Sequence, residues 1–169
     1  VNPNNPDGRR HDPAALAALA SRTGLLVVDE SFADTDPGLS LAPALAGLPN
    51  ALVLRSFGKF YGLAGLRLGL LAGPPAWLGE VDKVRLPYNI NVLTQVSALF
   101  ALQHQSVLDA QTAQLRRDRA QLFAALDAID ALQVYPSEAN FILFKAPPGR
   151  GPALFEGLRA RGVLVKTLN

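Results

Sequence analysis

Short apolar runs alternate along this chain with longer stretches in which apolar residues recur at helical spacing. Three mainly apolar runs, at 25–28, 51–54 and 66–72, predict strands buried on both faces, as in parallel sheets. Helices are predicted at 12–22, 75–84, 91–103, 106–130 and 152–161, and shorter strands at 133–135, 141–145 and 163–166. This order predicts a βαβ-like α/β unit followed by a smaller α+β unit.

The long predicted helix at 106–130 is the natural connector between these two units. Apolar residues recur along it at helical spacing, including Val107, Leu108, Leu115 and Leu122. We therefore expect a first domain at 1–105, the connecting helix at 106–130 and a second domain at 131–169.

Composition supports a folded protein and narrows its partners. Of the 169 residues, 49% are hydrophobic and 18% are charged, which is enough apolar material for a core. No apolar run is long enough to span a membrane, and the net charge of +2 is scattered, so we expect neither membrane nor nucleic-acid binding. The absence of methionine, even at position 1, indicates a piece of a longer reading frame.

The same composition argues against a metal site. There is no cysteine, so disulfides and thiolate ligands are excluded. His11 and His104 have no partner at metal-ligand spacing. We therefore expect no metal.

The chain opens on a cluster of turn-forming residues at 2–8, Asn-Pro-Asn-Asn-Pro-Asp-Gly. A tight surface loop is one interpretation, since these residue types favour turns. The other is that Asn5 is held rigidly to hydrogen-bond a ligand.

An acidic pair follows the first apolar run. Asp29 stands where that strand is predicted to end, and Glu30 follows it. Open α/β sheets bind ligands at this end of their parallel strands, so Asp29 is a candidate to pair with a bound cation. The alternative is an ordinary loop or N-cap acid.

The segment 56–69 carries the most chemistry. It places Ser56, Lys59 and Arg67 among four glycines, directly after a predicted strand. A phosphate-binding P-loop is excluded because Phe60, not Ser or Thr, follows the lysine. Lys59 can act as an amine nucleophile, and Arg67 can form paired hydrogen bonds to a phosphate. Alternatively, Lys59 is a solvated lysine beside a glycine hinge.

Taken together, these motifs resemble the fold-type I aminotransferases that depend on pyridoxal 5'-phosphate. The resemblance covers essentially the whole chain and implies an α/β fold: the C-terminal half of the large domain, plus part of the small α+β domain. It implies that Lys59 forms a Schiff base with the cofactor. It also implies that Asp29 pairs with the pyridine nitrogen, Asn5 with the phenolic oxygen, and Ser56 and Arg67 with the phosphate.

Two positions depart from the pattern of that family. Many members have tyrosine three residues after the aspartate, where this chain has Phe32. Many also have serine or threonine before the lysine, where this chain has Gly58. Both departures affect the tuning of the cofactor more than its attachment.

Two branches of the family compete for the substrate. The segment before about Gly73 looks like threonine-phosphate decarboxylase of cobalamin synthesis, and the longer segment after it looks like histidinol-phosphate aminotransferase. The second is preferred, with histidinol phosphate and 2-oxoglutarate as substrates. Asn5, Tyr88 and Lys166 are the substrate-site candidates, and Lys166 has the alternative of being an edge-strand lysine.

The resemblance further implies a cytoplasmic homodimer that binds a small phosphorylated amine or amino acid and a 2-oxo acid. A hypothesis of another class is an incomplete, catalytically silent fragment. Its sheet edges and apolar faces would then lack their cover.

Overall fold

The computed structural model describes residues 1–33, 38 and 40–168. Its α-helices are α1 (Pro13–Ala20), α2 (Pro75–Val84), α3 (Val92–Gln103), α4 (Gln105–Asp127) and α5 (Gly151–Arg159). Its strands are β1 (Leu26–Asp29), β2 (Ala51–Ser56), β3 (Gly69–Ala72), β4 (Gln133–Tyr135) and β5 (Leu143–Lys145). Short 3₁₀ helices span Ala42–Gly47 and Ala64–Leu66.

Two helices begin where the sequence offers a side-chain cap. The Asp12 carboxylate accepts the N–H of Ala14 at the start of α1, and Pro13 occupies the first turn. The Asn91 side chain accepts the N–H of Thr94 at the start of α3. These local interactions explain why both predicted helices form.

A three-stranded sheet in the order β1-β2-β3 carries the first part of the fold. β1 and β2 are parallel, with Val28 opposite Val53, so the ends of both strands lie at one edge of the sheet. β3 runs antiparallel to β2, with Gly69 opposite Ser56. The segments that follow β1 and β2 therefore start side by side.

The core covers one face of this sheet. Val28, Leu41, Ala51 and Val53 are buried together, and side chains of α1 and of the Ala42–Gly47 helix pack against them. The expectation of burial on both faces holds only in part: on the opposite face Leu52 is 5% exposed, but Val27 is 48% exposed and Leu54 36% exposed. The expectation of a third strand of the parallel type was wrong, since a strand's direction depends on the partner it pairs with.

The later part of the chain forms a separate small sheet. β4 and β5 pair antiparallel, with Val134 opposite Phe144, and α4 contacts β4. The strand predicted at 163–166 was wrong: these residues form no strand. An apolar run becomes a strand only where a neighbouring strand pairs with its backbone.

The division into domains at 1–105, 106–130 and 131–169 stays a prediction. Residues 34–37, 39 and 169 fall within these ranges but outside the described part. Among the described helices, none combines the length and apolar character required to cross a bilayer.

Candidate functional site

The acidic pair after β1 has two different environments. Asp29 is half-buried at the end of the strand, and its Oδ1 accepts the N–H of Ser31 (2.8 Å). Glu30 is 1% exposed and accepts the Ser40 hydroxyl (2.6 Å) and the Leu41 N–H (2.7 Å). Glu30 thus anchors the backbone, while the partly exposed Asp29 lies at the strand end, the edge at which open α/β sheets generally bind ligands.

Lys59 lies in the turn that follows β2. The Ser56 hydroxyl accepts the N–H of Gly58 (3.0 Å), which tightens the chain just before the lysine. The Lys59 side chain is exposed, and its Nζ lies 4.8 Å from the centre of the Phe32 ring. The lysine therefore projects toward the segment that follows Asp29.

A pocket of about 440 Å³ brings together the ends of these segments. Its lining includes Ser31, Ser56, Gly58 and Arg67. The structure thus gathers the serine and arginine that the sequence predicted for phosphate binding. A guanidinium and a hydroxyl are donors that suit a phosphate.

Arg67 adopts a backbone conformation that is uncommon for its residue type. Its φ is 52°, in the left-handed region, directly after the Ala64–Leu66 helix. Its guanidinium donates to the Ala64 carbonyl (3.3 Å). Such a conformation costs of order 1 kcal/mol or more and is often found at binding sites.

The N-terminal cluster forms the predicted tight turn. Asn4 Nδ2 donates to the Asp7 carboxylate (3.0 Å), which also accepts the N–H of Arg9 (3.1 Å). Gly8 has a φ of 67°, and a Cβ there would collide with Ser137. The turn therefore holds Asn5 against the later part of the chain.

The Asp7 carboxyl should titrate below its ordinary pKa of 3.8. The hydrogen bond from the Arg9 N–H lowers this pKa most; burial opposes the effect, and the Asn4 side chain adds to the lowering. The carboxylate therefore stabilises the turn above pH 3.8, and this stabilisation is lost as the pH falls through the lower, folded-state pKa. An NMR titration of the Arg9 amide measures it, Asp7→Asn serves as the control, and a midpoint at or above 3.8 would contradict the prediction.

A second, larger cavity of about 1100 Å³ is lined by two of the three predicted substrate residues. Asn5 and Lys166 both line it, together with Phe141 and Phe144. Tyr88 lines neither of these two cavities; it is 98% exposed, with a φ of 57°. The structure thus brings Asn5 and Lys166 to one cavity but not Tyr88.

Three features of the site were not predicted. They are the burial of Glu30, the position of Ser31 in the smaller pocket, and the contact of Phe141 with Phe32. The burial of Glu30 could have been suspected from its place directly after an apolar strand. Within the described residues, no three acidic or histidine side chains are grouped to hold a metal ion.

Comparison with known proteins places this chain in a family. The family model for aminotransferase class I and II matches residues 1–169. "Histidinol-phosphate aminotransferase 2" of Nitrosococcus oceani is 48% identical over 99% of this chain and 46% of its own length. The chain thus spans about half the length of this relative.

Solved structures share the fold. The histidinol-phosphate aminotransferase of Sinorhizobium meliloti, solved in complex with pyridoxal-5'-phosphate, has a TM-score of 0.84 and 27% identity, covering 98% of this chain and 47% of its own. The L-threonine-O-3-phosphate decarboxylase of Porphyromonas gingivalis has a TM-score of 0.83 and 26% identity, covering 98% and 52%. The predicted fold-type I α/β class is confirmed, and the chain belongs to the class I and II aminotransferases.

Proposed function

We propose that the protein containing this chain transfers an amino group between histidinol phosphate and 2-oxoglutarate, using pyridoxal 5'-phosphate. The observation that carries the proposal is the exposed Lys59 amine. It directly follows Gly58, which lines a pocket together with Ser56 and Arg67. The choice of histidinol phosphate rests on the relative that is 48% identical over 99% of the chain.

The described residues fit this cofactor. Arg67 and Ser56 line a pocket of about 440 Å³ and would hold its phosphate. Asp29 would hold the pyridine nitrogen, and Asn5 the phenolic oxygen. When bound, pyridoxal phosphate supplies an electron sink for the bonds broken at the substrate Cα.

The chain's own groups would divide the remaining work. Lys59 would hold the cofactor covalently through Nζ. Once the substrate amine has taken its place, the released Nζ amine would carry the proton to and from the substrate carbon. The N–H of Ser31 keeps the Asp29 carboxylate oriented at the end of β1. Asn5 is held in place by the turn that Asp7 and Gly8 stabilise.

The substrate would occupy the space near Asn5 and Lys166. Both residues line the cavity of about 1100 Å³, and the Lys166 ammonium can bind a substrate phosphate. Tyr88 is not among the residues that line this cavity, so its substrate role stays a prediction.

The active protein would be a cytoplasmic homodimer. Large apolar side chains of α3 are exposed, namely Val92, Leu93, Val96, Leu99 and Phe100. An exposed apolar surface of this kind supports association, with a second copy or with the rest of the protein that contains this chain. The loop that carries Tyr88 lies just before this helix along the chain.

Threonine-phosphate decarboxylation is the second candidate. It is favoured by the TM-score of 0.83 with the decarboxylase of Porphyromonas gingivalis. Both substrates carry a phosphate, so Lys166 does not distinguish them. The orientation of the substrate in the site decides whether the Cα–H or the Cα–carboxylate bond breaks.

The two activities can be separated with the full-length protein. We expect glutamate to form when it is incubated with pyridoxal phosphate, histidinol phosphate and 2-oxoglutarate. We expect no CO₂ from threonine phosphate under the same conditions. Release of CO₂ without glutamate formation would overturn the preferred function in favour of the decarboxylase, and absence of both products would refute both activities.

A further inference from the structure

Lys59 lies against the ring of Phe32, a residue to which the proposed reaction assigns no role. Its Nζ lies 4.8 Å from the centre of the Phe32 ring. An ammonium within about 6 Å of a ring centre is attracted by the ring's negative face. Phe32 has no hydroxyl, so any contribution it makes to Lys59 comes from this face.

The turn that carries Phe32 is held by backbone hydrogen bonds. The N–H of Glu30 donates to the Leu54 carbonyl (2.8 Å), and the N–H of Ala33 donates to the Glu30 carbonyl (2.9 Å). The buried side chain of Glu30, which belongs to this turn, accepts the backbone N–H of Leu41. The backbone beneath Phe32 is therefore fixed independently of the lysine.

A second ring, from the later part of the chain, contacts Phe32. The Phe141 and Phe32 centroids are 5.3 Å apart, and the two rings are nearly perpendicular at 88°. Aromatic pairs favour this edge-to-face arrangement. Phe141 thus restricts the angle at which Phe32 presents its face.

The segment before Phe141 is held between α4 and the N-terminal turn. The N–H of Glu138 donates to the Gly8 carbonyl (2.9 Å), and the Arg119 guanidinium donates to the Ala139 carbonyl (2.8 Å). Ala139 is 0% exposed. The position of Phe141 is therefore set by contacts that do not involve Lys59.

We propose that Phe32 is a positioning residue for Lys59 and that Phe141, anchored through Gly8 and Arg119, sets the orientation of its ring. The ring face holds the Lys59 ammonium near the end of β1, and the contact is given up when this group loses its proton and forms a covalent bond. The importance of the contact for catalysis rests on the proposed function. The contact itself requires no cofactor.

The test uses the cofactor-free full-length protein labelled with ¹³C at the lysine ε-carbons. Protons above a ring face resonate upfield, and Lys59→Arg identifies the Lys59 signal. We expect an upfield ε-CH₂ signal that Phe32→Leu moves to the position of a solvent-exposed lysine and that Phe32→Tyr retains. We expect Phe141→Leu to reduce the upfield shift, because the Phe32 ring is then free to turn its face away from Nζ.

Phe144→Leu is the matched control. Phe144 is a half-buried ring of β5 that lines the larger cavity, and we expect its loss to leave the Lys59 signal unchanged. Absence of an upfield signal in the unmodified protein would overturn the proposal, even if a variant failed to fold. An equal effect of Phe144→Leu and Phe141→Leu would overturn the role of Phe141.

A second readout connects the contact to cofactor attachment. We expect Phe32→Leu to slow covalent attachment of pyridoxal phosphate by about two- to fivefold, and Phe32→Tyr to leave the rate closer to normal. An unchanged rate in Phe32→Leu would contradict a positioning role. If the upfield NMR signal is absent but transamination is intact, only this inference is refuted. If the signal behaves as expected but transamination is absent, only the proposed function is refuted.

Discussion

Replacement of Lys59 by alanine should abolish transamination by the full-length protein and its covalent attachment of pyridoxal phosphate. The lysine supplies both the amine that attaches the cofactor and the group that moves the proton at the substrate carbon. Loss of a proton-transfer group alone costs up to about 10⁴-fold in rate, so we expect a decrease of at least about that size. The yellow absorption of the attached cofactor and the rate of glutamate formation measure the two effects.

Lys83→Ala is the matched control for this experiment. Lys83 is an exposed lysine on α2 that pairs with Glu80, so its removal should change neither colour nor rate. Lys59→Arg keeps a positive charge but cannot attach the cofactor in this way, and it should be as inactive as Lys59→Ala. Persistent yellow absorption in Lys59→Ala, or its absence from the unmodified full-length protein, would refute the assignment.

Replacement of Glu30 by alanine should lower the free energy of unfolding by about 3 kcal/mol. The Glu30 carboxylate is buried, accepts two hydrogen bonds from Ser40 and Leu41, and lies 3.9 Å from the Arg55 guanidinium. Its removal leaves the buried Leu41 N–H without this acceptor, and such a loss costs about 1–3 kcal/mol for each group. Urea denaturation of the variant and the unmodified protein measures the difference.

Glu138→Ala is the control for the Glu30 prediction. The Glu138 side chain is half exposed and pairs with Arg119 at 3.3 Å, so we expect a change of no more than about 1 kcal/mol. Glu30→Gln keeps the volume and one acceptor oxygen and should fall between the two. Equal destabilisation by Glu30→Ala and Glu138→Ala would show that the buried Glu30 carboxylate stabilises the fold no more than an exposed one does.

Elements with strong local signals were predicted well. α1 begins after the Asp12 cap, and the predicted strand at 133–135 coincides with β4. α4 spans Gln105–Asp127, close to the predicted 106–130. Caps and hydrophobic periodicity act over a few residues, so they can be recognised without knowledge of the rest of the fold.

Features that depend on pairing were predicted less well. The direction of β3 and the absence of a strand at 163–166 depend on which neighbour each backbone meets. The exposure of Val27 depends on which face of the sheet the helices cover. An apolar run carries no information about its partner, so its sequence alone leaves both questions open.

The sequence by itself determined the set of groups that point to pyridoxal phosphate: a lysine, an acid at a strand end, an asparagine in a rigid turn, and a serine and arginine in one glycine-rich segment. Only the tertiary structure decided which of them meet. It placed Ser56 and Arg67 in one pocket, Asn5 and Lys166 at another, and Lys59 against Phe32. Phe32 meets Phe141 from far along the chain, and such a contact has no local signal because it arises only when separate segments pack.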